Sequence, residues 1–413
     1  MKLRMRSIVL LAGVVGFALA AYCCLVAYLF LNRPDESAGE DGDLVVLAKG
    51  VSDADNMYMA YLALTNLVLA SDSDAVLGAL HAVSACPHYQ GPTNSILPFN
   101  RMNEIARRVD DAVDALCKSG EHQKAASAIQ DFHKFARSCR DNASAVVELL
   151  VGCGLCNRAY MMAARLSSSK GVSKAVLENL RSIVDDEPDF SELFRRTLKC
   201  EYSFWVKPGF SRMGKDADRR ELVLKIDKAV ASDGWSFAPI IARILAYTPG
   251  YSRFSYDGNA TLRHVATTYR EAQFNADGQD NGMSRIDVLK PNWYGRQMVA
   301  GACDAVVKSS RRSLKCNAMS VRFARIIVAS QLYALKHDGQ CPASLDALVP
   351  EFLDSVPKDP FDEESEVRYD PAEKLIWSVG EKREYAKPPA GNSKQRMRGF
   401  DEWAMRLDGS RLK

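Results

Sequence analysis

Two cysteines three positions apart, in Cys153-Gly-Leu-Cys156, form the pattern in this chain that is best suited to chemistry. A Cys-x-x-Cys pair at the N-terminus of a helix has a lowered thiol pKa and can exchange disulfides. Such a site follows a strand in a βαβ unit. The preceding segment, 145–151, fits a continuing helix better than a strand. Cys153 and Cys156 are therefore redox or disulfide candidates, and we favour the alternative of buried thiols on one helix face.

The metal-binding patterns in the sequence are incomplete. Cys86-Pro-His88 lies close to His81, but zinc needs further ligands, and no second Cys/His pair stands at finger spacing. The acidic segment 277–281 lacks the EF-hand spacing and its closing Glu. The chain also has no nucleophile elbow, phosphate-binding glycine loop or zinc-protease motif. We predict no catalytic residue, no metal site and no cofactor.

The N-terminal stretch Ser7–Leu31 contains no charged residue. As a helix it would span about 37 Å, which exceeds a bilayer core of about 30 Å. Lys2, Arg4 and Arg6 precede it and favour a cytoplasmic N-terminus. We therefore predict a transmembrane helix within residues 1–32, with the lipid bilayer as its partner. The protein would be a single-pass bacterial inner-membrane protein with a periplasmic C-terminus.

Cleavage of this stretch is the alternative, because Ala18-Leu19-Ala20 matches a signal-peptidase site. The apolar run continues for 11 residues beyond Ala20, which a cleaved signal does not need, so a retained signal-anchor is favoured. Lipoprotein processing requires a small residue before the modified cysteine, and Tyr22 precedes Cys23. Cleavage after Ala20 stays open.

Charge is balanced outside the N-terminus. The net charge is +3, and from residue 33 onward 51 basic residues face 51 acidic ones. Such balance gives no electrostatic reason to expect nucleic acid, so envelope proteins are the predicted partners. Nine cysteines lie outside the apolar stretch at irregular spacing, and their odd number leaves the disulfide pairing open.

The chain after the anchor is predicted to be mainly α. Residues 33–43 are polar and rich in glycine and acid, so 33–54 are predicted to be a flexible linker, and 55–290 a helical ectodomain. The predicted helices span residues 56–70, 74–85, 100–118, 122–139, 143–167, 172–184, 189–205, 216–231, 236–246 and 260–275. Short turns between them favour antiparallel pairs in a bundle or a short α-solenoid.

One turn, at residues 115–126, resembles that of a tetratricopeptide repeat: a helix, a Gly-Glu pair and a second helix with paired alanines. No second copy occurs at 34-residue spacing. A helical hairpin without a true repeat is therefore the favoured interpretation.

The C-terminal part is predicted to be a small α+β region, 291–380, followed by a polar basic tail, 381–413. The predicted elements are helices at 292–310, 320–336 and 342–348 and strands at 366–369 and 375–379.

Within this region, Tyr333 to Pro342 (Tyr-Ala-Leu-Lys-His-Asp-Gly-Gln-Cys-Pro), Ser344-Leu-Asp-Ala-Leu348, Pro357-Lys-Asp-Pro-Phe361 and Trp377-Ser-Val-Gly380 follow one another. This block resembles the soluble part of the major pseudopilin of type II secretion systems. It covers about 60 residues. A similar block is attached to large membrane-anchored helical proteins of several bacterial lineages, and the whole chain resembles those most.

Two departures limit what the resemblance implies. Ala21 stands where a processed pseudopilin has Glu, and Glu381-Lys-Arg383 replaces the calcium-binding end. The resemblance therefore implies a small fold rather than membership in a pilus, because fold does not carry function. We predict a non-catalytic binding or assembly module. The alternatives are an accessory part of a type II secretion or pilus-like machine, and an envelope enzyme whose site is not visible in the sequence.

Overall fold

A computed structural model describes ten segments of the chain: residues 20–32, 41–46, 51–68, 73–91, 99–211, 223–224, 238–274, 290–300, 305–380 and 404–407. The protein is mainly helical, which confirms the predicted class. Helices α1 to α8 are Ala20–Leu31, Met57–Val68, Ser73–Ala85, Phe99–Lys118, His122–Asp141, Val146–Ser167, Lys174–Val184 and Phe190–Glu201. Helices α9 to α14 are Lys207–Ser211, Ala238–Tyr247, Tyr251–Ser255, Gly258–Phe274, Trp293–Val299 and Ala305–Lys336.

The chain divides into two compact units. The first comprises the described parts of Met1–Val46 and Tyr202–Lys308, and the second those of Leu47–Glu201 and Ser309–Lys413. The boundaries differ from the predicted domains, because the end of the predicted ectodomain joins the N-terminal segment. A local pattern of helices carries no information on which distant segments share a core.

The first unit has its own apolar core. Leu29 of α1 is fully buried in it, together with Tyr251 and Phe254 of α11 and Trp293 of α13. The Tyr28 ring lies 5.9 Å from that of Phe254. The last turns of the predicted transmembrane helix therefore belong to a folded unit. Residues 7–19, the rest of that prediction, lie outside the described residues.

The segment 41–46 is also fixed to this unit, although it falls within the predicted flexible linker. Asp41 accepts hydrogen bonds from Tyr202 Oη at 2.6 Å and from Lys207 Nζ at 2.7 Å. Burial alone raises the pKa of Asp41, but these two bonds outweigh it and lower that pKa. Leu44 is fully buried. Within the region predicted as a linker, the apolar and acidic side chains of this segment thus have specific partners.

The second unit is built on antiparallel helical hairpins, with α5 against α6 at its centre. Phe132 and Phe135 of α5 are buried there, and Phe135 stacks on Tyr61 of α2 with ring centroids 5.0 Å apart. Where α5 and α6 cross, a Cβ on Gly152 would lie 2.5 Å from Arg140 Cα. Only glycine permits this approach.

The turn between α4 and α5 has the geometry of a Schellman motif. Gly120 has φ of +81°, its N–H donates to Cys117 O, and the N–H of Glu121 donates to Leu116 O. The predicted stop at Ser119-Gly120 is thus confirmed as a helix C-cap. This local signal predicted the helix ends to within a few residues, α4 at Lys118 and α5 at His122.

Helix α14 differs from the prediction, because it begins 15 residues before the predicted start at 320. The sequence predicted one helix to residue 310 and a break before a second helix at 320. In the structure, Ser310 is fully buried, Leu314 is nearly so, and the Arg311 guanidinium lies over the Phe194 ring at 5.7 Å. Tertiary contacts thus support a helix across a segment whose local pattern is polar.

Two small antiparallel sheets follow α14. In the first, β1 (Lys358–Asp359) pairs with β2 (Asp362–Glu366). In the second, β4 (Leu375–Trp377) lies between β3 (Arg368–Asp370) and β5 (Ala404–Arg406). The prediction of a polar tail is therefore wrong for residues 404–407. Ala404, Met405 and Leu407 are buried, but a strand so short and so distant from its partner has no local signature.

Among the described helices, one is long and apolar enough to cross a membrane by length and composition, namely α6. About 61% of its most apolar window is buried inside the protein, as in the core helix of a soluble domain. The shorter α1 is the described part of the predicted anchor.

Candidate functional site

The structure places Cys153 and Cys156 in the middle of α6, not at the start of a helix. They are 3% and 0% exposed, and both thiols are free. Burial, with the neighbouring thiol Cys156, raises the pKa of Cys153 well above its usual range, and burial raises that of Cys156 to about 12. A thiol that stays protonated is neither a nucleophile nor a disulfide-exchange group. The geometry thus agrees with the alternative interpretation, buried thiols on one helix face.

A buried polar cluster surrounds these thiols. The Arg140 guanidinium is 1% exposed, and it donates to Asp141 at 2.8 Å and to Tyr160 Oη at 3.2 Å. The His133 ring lies 5.4 Å from that of Tyr160. Burial and the nearby Arg140 lower the pKa of His133 to about 4. The imidazole is therefore neutral at pH 7, and the cluster fixes the α5–α6 crossing with one buried cation.

Asn317 of α14 connects this cluster to the C-terminal region. Its amide nitrogen donates to Cys153 O at 2.7 Å and to Asn157 Oδ1 at 2.6 Å. Because Asn317 is fully buried, these bonds fix the position of α14 against α6. The motif that looked catalytic in the sequence thus occupies a helix-packing site.

Two carboxylates meet at the N-terminus of α6. Glu148 accepts from Ser144 N at 2.8 Å and from Ser144 Oγ at 2.9 Å, and Glu201 accepts from Val146 N at 2.5 Å. Burial raises the pKa of Glu148, while the bonds from Ser144 offset part of that rise. Paired carboxylates can act as acid and base, but these satisfy unpaired N–H groups at the start of a helix. Their role is capping.

A serine, a histidine and an aspartate also come together on α3 and α5. Ser84 Oγ donates to Asp131 Oδ1 at 2.7 Å, and His81 Nδ1 lies 2.9 Å from Asp131 Oδ2. In a catalytic triad the histidine stands between serine and aspartate, whereas here the aspartate does. Ser84 Oγ also donates to His81 O at 2.9 Å, and the residue is buried. The trio bridges two helices and cannot activate its serine.

Potential metal ligands do not cluster among the described residues. The described residues hold no group of three or more His, Cys, Asp or Glu side chains that could bind a metal ion. The predicted loop residue His88 bonds through its backbone to Asp55 and Met57. An open surface pocket of about 350 Å³ lies between α3 and α4, where Glu104 pairs with Arg107 and Arg108. The segment 277–281 lies outside the described residues.

In the C-terminal block, residues 333–380, one buried carboxylate joins separate segments. Asp359 is fully buried and accepts from Phe361 N at 2.9 Å, Ser378 Oγ at 2.9 Å and Val379 N at 2.8 Å. Elsewhere in the block, Tyr369 Oη donates to Pro342 O at 2.9 Å. These residues position loops. The oxygens of the Asp359 carboxylate are occupied by hydrogen bonds from the fold itself.

One feature that sequence reasoning missed is an exposed apolar surface on the first unit, which we call the α1–α10 surface and define as Phe30, Leu31, Ile244 and Tyr247. Their exposed fractions are 47%, 84%, 52% and 61%. A Cβ on Gly250, just after α10, would lie 3.4 Å from the Phe30 ring, so the two helices adjoin. Large side chains grouped in this way mark contact surfaces. The apolar segment 238–247 was the available signal.

The comparisons with known proteins add no relative. No family model, no curated protein and no solved structure matches this chain. The functional assignment therefore depends on the residues and geometry described above.

Proposed function

We propose that the chain is a single-pass bacterial inner-membrane protein whose periplasmic part is a non-catalytic binding or assembly module. The observation that carries the proposal is the packing of α1. Its residues are the end of the uncharged run Ser7–Leu31, and Leu29 is fully buried in the first unit. A spanning helix that continues into a folded core holds that unit at the membrane.

The non-catalytic part of the proposal is supported by what the polar groups do. Cys153 and Cys156 are protonated core residues, Glu148 caps α6, and Asp131 bridges two helices. Within the described residues, each of these three groups thus has a packing role that accounts for it. Envelope proteins are the proposed partners, because the balanced charge offers no field for nucleic acid.

An accessory role in a type II secretion or pilus-like machine is the second candidate. It is favoured by the contacts within the C-terminal block, where Asp359 joins the segments around Phe361 and Ser378 and where the Tyr333 and His337 rings stack at 4.0 Å. The motif residues thus form one packed module, which supports their treatment as a pseudopilin-like region.

Orientation is tested with alkaline phosphatase fused to the C-terminus of the full chain in cells. We expect an active, membrane-bound enzyme that alkaline carbonate does not extract. Replacement of Lys2, Arg4 and Arg6 by Glu is the matched control. It should lower the phosphatase activity, because positively charged flanks keep the N-terminus in the cytoplasm and the C-terminus in the periplasm. An inactive wild-type fusion, or a chain extracted by carbonate, contradicts the membrane proposal.

Partners are tested with a photo-crosslinking amino acid on the second unit in living cells. Leu335 of α14 and Val147 of α6 are exposed apolar residues, 54% and 49% accessible, and Lys174, with 76% of its side chain exposed, is the polar control. Secretion or pilus proteins captured at Leu335 would support the second candidate. Other envelope proteins would support assembly outside such machines. An absence of cross-linked proteins at all three positions would contradict the binding role.

A further inference from the structure

Among the described side chains of α10, residues 242–247, large or small apolar residues lie on both sides of the helix. Ala242, Leu245 and Ala246 face the core, with at most 8% exposure, whereas Ile244 and Tyr247 point outward and are 52% and 61% exposed. A surface helix of a soluble domain carries polar residues on its outer side. The one charged residue in Ala238–Tyr247 is Arg243, which is exposed.

The depth of α10 follows from the length of the apolar run Ser7–Leu31, of which α1 is the end. At 1.5 Å per residue, a bilayer core of about 30 Å takes up about 20 residues. Counted from Ser7, those residues end at Val26, and 27–31 then lie in the headgroup layer. Leu29 is in that layer and packs in the same cluster as Ala242, Leu245 and Ala246 of α10. The inner side of α10 therefore lies at headgroup depth.

We infer that α10 is an interfacial helix that lies on the outer leaflet of the inner membrane, with Ile244 and Tyr247 inserted among the lipids. The inference rests on the proposed membrane anchoring. Tyrosine is enriched at the membrane–water boundary because it has an apolar ring and a polar tip. Arg243 on the same helix has the charge that lipid phosphates bind.

The lipid surface also accounts for the rest of the α1–α10 surface. Phe30 and Leu31 close the apolar run of α1 and are 47% and 84% exposed, although they stand beside a folded unit. In the headgroup layer these side chains meet acyl chains instead of water. A protein partner at the same place is the competing occupant, and it is one outcome of the test.

The test uses the full chain with p-benzoylphenylalanine in place of Ile244 or Tyr247, reconstituted in vesicles of phosphatidylethanolamine and phosphatidylglycerol. Val45 is the matched control, because it is a 43% exposed apolar residue of the same unit on the segment fixed by Asp41. After illumination, mass spectrometry measures lipid adducts at each position. We expect roughly five-fold or more lipid adduct at 244 and 247 relative to 45, as for residues in the acyl boundary.

The outcomes separate this inference from the proposed anchoring. In a chain that resists alkaline carbonate, the inference would be overturned if lipid adducts were no more frequent at 244 and 247 than at 45. The anchor would then stay intact. Cross-links from 244 or 247 mainly to protein in cells would overturn it in favour of a partner. A chain that carbonate extracts would remove the anchor, and the inference with it.

Discussion

Gly152→Ala is expected to force apart the two central helices of the second unit. The added Cβ would lie 2.5 Å from both Cα and N of Arg140, and backbone atoms cannot rotate away. Gly154→Ala is the matched control, since a Cβ there meets nothing within 4 Å on the same helix. Both changes bring the same gain in helix propensity, about 1 kcal/mol. The difference between them isolates the contact.

The magnitude follows from the geometry. To reach an ordinary contact of 3.4 Å, the crossing must open by about 0.9 Å. A gap of that size forfeits a quarter to a half of the dispersion energy of the facing atoms, and overpacking alone costs roughly 1–3 kcal/mol. After the propensity gain, we expect Gly152→Ala to lower the free energy of opening of α5 and α6 by about 2 kcal/mol.

Hydrogen exchange of the full chain in detergent, read by mass spectrometry on peptides from α5 and α6, measures this opening locally. A loss of about 2 kcal/mol accelerates exchange roughly 30-fold, and Gly154→Ala should slow it by up to about five-fold. Exchange in Gly152→Ala that is no faster than in the wild type would refute the reasoning, because it would mean that the helices do not cross at this distance.

Three further predictions concern buried polar groups. Between pH 7 and pH 5 the wild type should lose about 2 kcal/mol of stability, because the pKa of His133 is about 4 in the folded chain and 6.5 in the unfolded chain, which therefore takes up the proton first. His133→Phe should abolish this loss, and hydrogen exchange of α5 at both pH values will measure it. Asp359→Ala should cost about 3 kcal/mol by leaving three donors unpaired, and Ser378→Ala about 1 kcal/mol, both measured by limited proteolysis of the C-terminal block. Cys153 and Cys156 should resist alkylation at pH 8 until denaturant is added, as peptide mass spectrometry will show.

Each of these three predictions has an outcome that would contradict it. An unchanged pH dependence in the phenylalanine variant would show that the imidazole reaches water. Equal protease resistance of the Asp359 and Ser378 variants would mean that the carboxylate does not join the two loops. Rapid native alkylation or a Cys153–Cys156 disulfide would restore the redox interpretation.

Local signals in the sequence predicted the helical hairpins well. The Gly120 stop lies at the helix end that it sets, and Ser173 and Glu148 cap α7 and α6 within one helical turn, so helices from α4 to α8 could be located from their own residues. The predicted start of α14 was wrong because it depends on non-local packing: the burial of Ser310 depends on the residues that pack over it.

Non-local partners explain the other differences. Asp41 looks like a linker residue until Tyr202 and Lys207 are placed beside it, and the Leu44 that follows was the available signal. The spacing of Cys153 and Cys156 was visible, but their inertness depends on burial, which motif spacing does not encode. The α1–α10 surface joins residues more than 200 positions apart, so it has no pattern in any single segment.

The position of β5 has a consequence for how the protein is made. Strand β4 pairs on one edge with β3, its immediate neighbour in the chain, and on the other with Ala404–Arg406, which is synthesised after every other described element. During synthesis, the nascent chain must therefore carry an unpaired edge at Leu375–Trp377 until this last described strand emerges. Open edges recruit foreign strands. Between the synthesis of β4 and that of β5, the incomplete protein thus depends on chaperones or on rapid synthesis to avoid mispairing at this edge.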